Sequence, residues 1–109
     1  MNPTVQWVQR LHRLISNMRA SQQPVEYPAK RVVELVGAPN VAVLNAELTK
    51  LIGSGELDAV YRIRSQQTGA GIGEYHSIAD IPQRLFDDTA DTYQDVVLGR
   101  DVETVYRAP

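Results

Sequence analysis

Cysteine is missing altogether from the 109 residues. Disulfides, thiolate metal sites and a cysteine nucleophile are therefore excluded. The absence fits a cytoplasmic protein, which is the expected localisation. Long apolar runs are missing too. Nothing approaches the roughly 18 apolar residues that a membrane span needs. The first twenty residues carry Arg10, His12, Arg13 and Arg19 among their apolar positions, so no secretory h-region is expected there. No membrane partner is expected. Aromatics are scarce, with one tryptophan, one phenylalanine and five tyrosines. Each one is a marked position. No repeat or low-complexity tract interrupts the chain.

A chain of this length is expected to form one domain, 1–109. Its net charge is −2, unevenly spread. Residues 1–65 hold eight Lys/Arg against five Asp/Glu, and residues 66–109 hold three against eight. A wholly basic nucleic-acid protein is excluded, but a local positive face in the first part is not.

Periodicity supplies the elements. In "TVQWVQRLHRLISNMRA", Val5, Val8, Leu11, Leu14, Ile15 and Met18 recur at steps of three and four, with Thr4 placed as N-cap. That is one amphipathic helix. "SQQPVEY" breaks it. A second helix opens at Pro28, points Val32, Val33, Leu35 and Val36 inward and closes at Gly37. Asn40 caps a third, with Val41, Leu44, Leu48, Leu51 and Ile52 on one side. Gly53 or Gly55 ends it. Leu57, Ala59, Tyr61 and Ile63 then alternate with Asp58, Val60, Arg62 and Arg64, which is a strand. "SQQTGAGIG" reads as a flexible hairpin tip and "EYHSI" as the return strand. "DIPQRLFDDTAD" reads as a turn and an acidic loop. "TYQDVVL" and "VETVYRA" read as two short strands around "GRD".

The short "GAPN" connector, the helix ending "LTKLIGSGELDAVYRI" and the glycine-rich hairpin resemble the winged helix-turn-helix superfamily. The resemblance covers residues 4–82. It implies an α+β fold with three N-terminal helices followed by a β-hairpin wing. Residues 83–109 lie outside the pattern, as an acidic C-terminal extension expected to add strands to the wing sheet or to pack across it.

The resemblance implies major-groove reading by the third helix. That helix offers Asn45 and one cation, Lys50, beside Glu47. Phosphate neutralisation needs more. Arg10, Arg13, Lys30, Arg31, Arg62 and Arg64 are the further cations that a double-stranded DNA reading would use. Arg62 and Arg64 are two apart on a strand and are expected to point the same way. The other reading is a protein partner, with Trp7, Tyr27, Tyr93 and Tyr106 as aromatic anchors.

Other motifs fall away. "GAGIG" lacks the Lys-Ser/Thr of a phosphate loop. "DDTAD" lacks the spacing of a calcium loop. His12 and His76 have no triad or metal spacing around them. No catalytic residue, cofactor or metal is expected. The preferred expectation is a non-enzymatic protein–protein interaction module, an adaptor or assembly subunit. The alternative is a small DNA-binding transcriptional regulator using the third helix and wing, working as a homodimer.

Overall fold

Burying one wide apolar stripe fixes the first helix. A computed structural model describes residues 3–109, with side chains from Gln6 onward. In it α1 runs Pro3–Ala20. The Thr4 cap and the Val5 core position concern side chains that lie outside the described ones. The buried stripe is Trp7, Leu11, Ile15 and Met18. Their spacing of four, four and three puts them on one face. Val8 and Leu14 flank it, half-buried.

A three-residue strand, β1 (Glu26–Pro28), follows where the sequence suggested only a break. Pro28 therefore ends a strand and stands as N-cap of α2 (Ala29–Val36) rather than as its first residue. Val32 and Val36 are buried. Leu35, expected inward, is exposed, because it lies about 100° round the helix from Val36. Gly37 closes α2 in the left-handed conformation, φ 70°, and its N–H bonds Val33 O at 3.0 Å. That is the C-cap expected of it. α3 spans Val41–Gly53, and Asn40 caps it by accepting from the Val43 N–H at 2.9 Å. Leu44, Leu48 and Leu51 are buried. Val41 and Ile52, also expected inward, are exposed.

The remaining elements are β2 (Asp58–Arg64), β3 (Gly71–Tyr75), a 3₁₀ turn (Ile78–Asp80), β4 (Arg84–Asp87), β5 (Thr92–Asp95), α4 (Leu98–Asp101) and β6 (Val102–Arg107). The architecture is α+β. β3 starts three residues earlier than expected. β4 stands where a turn was expected, and Arg84 to Asp87 alternates out and in along it. β6 stands beside β2 in the sheet that holds the β2-β3 hairpin: the strand order is β1-β6-β2-β3, with β4-β5 a separate antiparallel pair.

The chain divides into two compact units. The first comprises the residues up to Ala59 together with Tyr106–Pro109, and the second is Val60–Val105. The division falls within β2 and β6. The first unit's core gathers Trp7, Leu11, Ile15, Met18, Val32, Val36, Leu44, Leu48, Leu51, Leu57 and Tyr106. Glu26 and Arg107 pair in it at 2.6 Å. In the second unit Val60, Ile63 and Val105 are buried. There β2 and β3 run antiparallel, with Tyr61 opposite Tyr75 and Arg62 opposite Glu74. No helix among the described residues is long and apolar enough to cross a membrane.

Candidate interaction site

The two anchors expected at positions 7 and 106 are core residues. Trp7 is 2% exposed and Tyr106 7%. Burying a large ring outweighs the phase expected from Val5 and Val8, so neither is available to a partner on this surface. Among the described residues Trp7 Nε1 is a buried donor with no acceptor. Tyr27 is half-buried on β1. Of the four aromatics, only Tyr93 is well exposed, at 59%.

The basic set is also dispersed, and most of it is engaged. Arg10 Nε donates to Val36 O at 2.7 Å, closing the end of α2. Arg31 pairs with Glu34 at 3.2 Å and Lys50 with Glu47 at 3.1 Å. Asn45 is exposed, and its carbonyl accepts from the Thr49 hydroxyl. Arg13 and Lys30 are exposed on α1 and α2. Arg62 and Arg64 do not act together. A register shift falls between Ile63 and Arg64. Arg62 turns to Glu74 on β3 at 2.9 Å, and Arg64 to Glu103 on β6 at 2.6 Å. The two guanidinium groups thus face opposite flanks of β2, each neutralised locally.

What the second unit does present is the β4-β5 hairpin. Successive residues of each strand point to opposite faces. Arg84 and Phe86 share one face of β4, and their partners across the ladder are Asp95 and Tyr93. All four are exposed. The other face carries Leu85, Asp87 and Gln94, which are half-buried or buried. Leu85 needs Gly73 beneath it, since a Cβ there would stand 3.0 Å from Leu85 Cδ2.

The hydrogen-bond phase explains the aromatic contact. Val96 N–H donates to Gln83 O at 2.8 Å, which makes 83/96 a bonded pair. Alternation then makes 85/94 bonded, and 84/95 and 86/93 non-bonded. Side chains are closest at non-bonded pairs. Phe86 and Tyr93 accordingly meet edge to face, ring centroids 5.1 Å apart and planes at 67°. The Arg84 guanidinium lies 4.9 Å from the Tyr93 centroid, a cation–π contact.

The inner face is held by polar bonds. The buried Gln94 amide accepts from the Gln66 N–H at 2.9 Å and donates to Arg64 O at 3.0 Å, acting as one more rung of backbone. The Asp87 carboxylate accepts from Ser65 Oγ, from Thr89 Oγ1 at 2.5 Å, and from the N–H groups of Thr89 and Ala90. Because Thr89 Oγ1 donates to Asp87, Thr68 Oγ1 must be the donor of its 2.7 Å bond to Thr89. The Ser65 hydroxyl, Thr89 and the two N–H groups hold Asp87 below the usual carboxylate range, against the effect of burial. Residues 65–70, expected to be a flexible tip, are thereby strapped to the hairpin turn.

A second carboxylate anchors the chain after β5. Asp101, 3% exposed, accepts from Val97 N–H at 2.8 Å and Gln66 Nε2 at 2.9 Å, and pairs with Arg100 at 3.0 Å. Burial alone would raise its pKa. Arg100, the Val97 N–H and Gln66 outweigh that and lower it.

Of the hairpin, sequence reasoning placed the β5 strand and Tyr93 but missed β4, and Arg84 and Phe86 were not singled out. The signal was present as "RLF" and "TYQ" flanking the turn residues "DDTAD". Searched against known proteins, the chain matches no family model, no curated protein and no solved structure.

Proposed function

We propose that this chain is a non-enzymatic, winged-helix-like protein–protein interaction module, an adaptor or assembly subunit, that meets its partner through the outer face of the β4-β5 hairpin. The observation that carries the reading is the exposed Phe86–Tyr93 pair on a two-stranded sheet. The chain's only phenylalanine sits in water at 43% exposure while its inner neighbours are tied down. Exposed aromatics on a rigid support lose little entropy on binding. The three helices followed by the β2-β3 hairpin support the winged-helix likeness.

The regulator reading is less well supported. Lys50, Arg31, Arg62 and Arg64 each have a carboxylate partner. Phosphate would have to displace those partners, and the α3 surface offers no other cation.

Fluorescence anisotropy of a mixed-sequence DNA duplex tests the choice, at about 50 and about 200 mM salt. No binding is expected at either. A parallel arm places a photo-crosslinking residue at Tyr93 or at Lys50 in the producing cells. Discrete protein adducts are expected at 93 and not at 50. Tight duplex binding with a steep salt slope would restore the regulator reading.

A further inference from the structure

We propose that the outer edge of β4 receives an extended, basic segment of the partner as an added strand. This rests on the module reading above and names what the partner brings. The ladder phase decides which groups are offered. At the non-bonded pairs 84/95 and 86/93, backbone N–H and C=O groups point away from the hairpin. On β5 the Asp95 carbonyl is already taken by Gln66 Nε2 at 2.8 Å. On β4 the outward groups of Arg84 and Phe86 have no backbone partner among the described residues. Two outward residues present two donors and two acceptors at strand spacing, which is how an extended peptide joins a sheet.

Charge selects the occupant. Val60–Val105 holds four arginines, no lysine and eight carboxylates. Three arginines are spent on Glu74, Glu103 and Asp101. Arg84 lies on Tyr93. Asp87 is buried among its donors. The carboxylates left over are Asp80, Asp88, Asp91 and Asp95, all exposed. Three of the four belong to the hairpin. A second copy would bring the same negative unit against this one. A Lys/Arg-rich strand meets an opposite field, and its apolar side chains fall beside Phe86.

The test is selection of random linear peptides displayed against the whole protein. Amide shifts and exchange then map where each selected peptide binds. Selected peptides should be net positive and proline-free, and should protect the Arg84 and Phe86 amides. Their affinity should fall several-fold between about 0.05 and about 0.5 M salt. Arg84→Pro removes an outward donor without touching a ladder bond. It should weaken binding about tenfold relative to Arg84→Ala, which loses the same contact with Tyr93, at the same melting temperature as that variant. The triple variant Asp88→Lys, Asp91→Lys, Asp95→Lys should turn the selection toward acidic peptides, a result that does not depend on how the proline is tolerated. Acidic or neutral peptides from the unaltered protein would overturn the proposal. So would none enriched over Arg84→Pro, or amide changes confined to other elements. Peptides that shift the Phe86 and Tyr93 rings but leave the Arg84 N–H unchanged would sink the added strand while sparing the module reading. That reading falls on duplex binding instead.

Discussion

Arg10 Nε reaches the carbonyl oxygen of Val36 at 2.7 Å, so a cation that looked free in the sequence closes the end of a neighbouring helix. Gly37 makes room for it. A Cβ there would lie 3.0 Å from Arg10 Nη2, and the backbone at φ 70° already disfavours a side chain. Gly37→Ala would crowd the guanidinium, which must give by a few tenths of an ångström, and weaken its bond to Val36. The substitution should cost about 1 kcal/mol for the left-handed backbone. It should cost up to about 1 kcal/mol more for the weakened hydrogen bond. In an Arg10→Met background the second part has already gone. A double-mutant cycle by urea unfolding should therefore show coupling of up to about 1 kcal/mol. Strict additivity would mean that the Arg10 contact contributes nothing.

Two carboxylates give the second unit an acid-sensitive hinge to its stability. Asp87 is held below the usual range by Ser65, Thr89 and two backbone N–H groups. Asp101 is lowered by Arg100, Val97 and Gln66 against its burial. A depressed folded pKa stabilises above the unfolded value, near 3.9, and the contribution is lost as pH falls through the folded pKa. Melting temperature should be flat from neutral pH down to about 4 on account of these groups, and then fall. Asp87→Asn should lower the plateau and flatten the acid limb. The two proteins should converge at the lowest pH. A variant curve parallel to the original throughout would refute the assignment.

Helix phases and strand partners differ in how far local sequence determines them. The Asn40 and Gly37 caps, the α3 stripe through Leu44, Leu48 and Leu51, and the β2 run were legible because each depends on neighbours within a turn or two. The α1 stripe was legible at Leu11, Ile15 and Met18, and its centre was misplaced only at Trp7. Val5 and Val8 suggest one centre, and the larger area of Trp7 moves the buried face round to Trp7, Leu11, Ile15 and Met18. The site was harder. β4 is four residues long, and its pattern is completed only by β5 across the turn. That Arg64 turns to Glu103, 39 positions away, is a tertiary fact with no local trace. Neither is the role of Gln94 local, since both of its partners are about thirty residues upstream.

Gln94 should be far less replaceable than its polar, short-strand setting suggests. Its amide serves one acceptor and one donor at once. Gln94→Leu leaves Arg64 O and Gln66 N–H without those partners and should cost about 1–3 kcal/mol. Gln94→Glu sets a carboxylate oxygen against the Arg64 carbonyl and should be at least as costly. Amide exchange at Gln66 should quicken in Gln94→Leu and not in Gln94→Glu, which keeps an acceptor for that N–H. An unchanged rate in Gln94→Leu would mean that water replaces the bond freely.

Trp7 and Tyr93 separate stability from binding. Both were candidate anchors, yet one lies in the core and the other in water. Trp7→Ala should cost about 3–5 kcal/mol through the cavity it leaves. For a chain of this size each kcal/mol moves the melting temperature by several degrees, about 4–8 °C in small domains. Any loss of partner binding in that variant would follow from unfolding and should be rescued by cooling or by Trp7→Phe. Tyr93→Ala removes an exposed ring, half of the Phe86 pair and the platform under Arg84. It should change stability by about 1 kcal/mol at most. It should nevertheless abolish cross-linked adducts formed from a probe placed at Phe86. Differential scanning calorimetry beside that cross-linking assay reads both effects. A Tyr93→Ala protein that melts normally and still forms the adducts would move the interaction site off this hairpin.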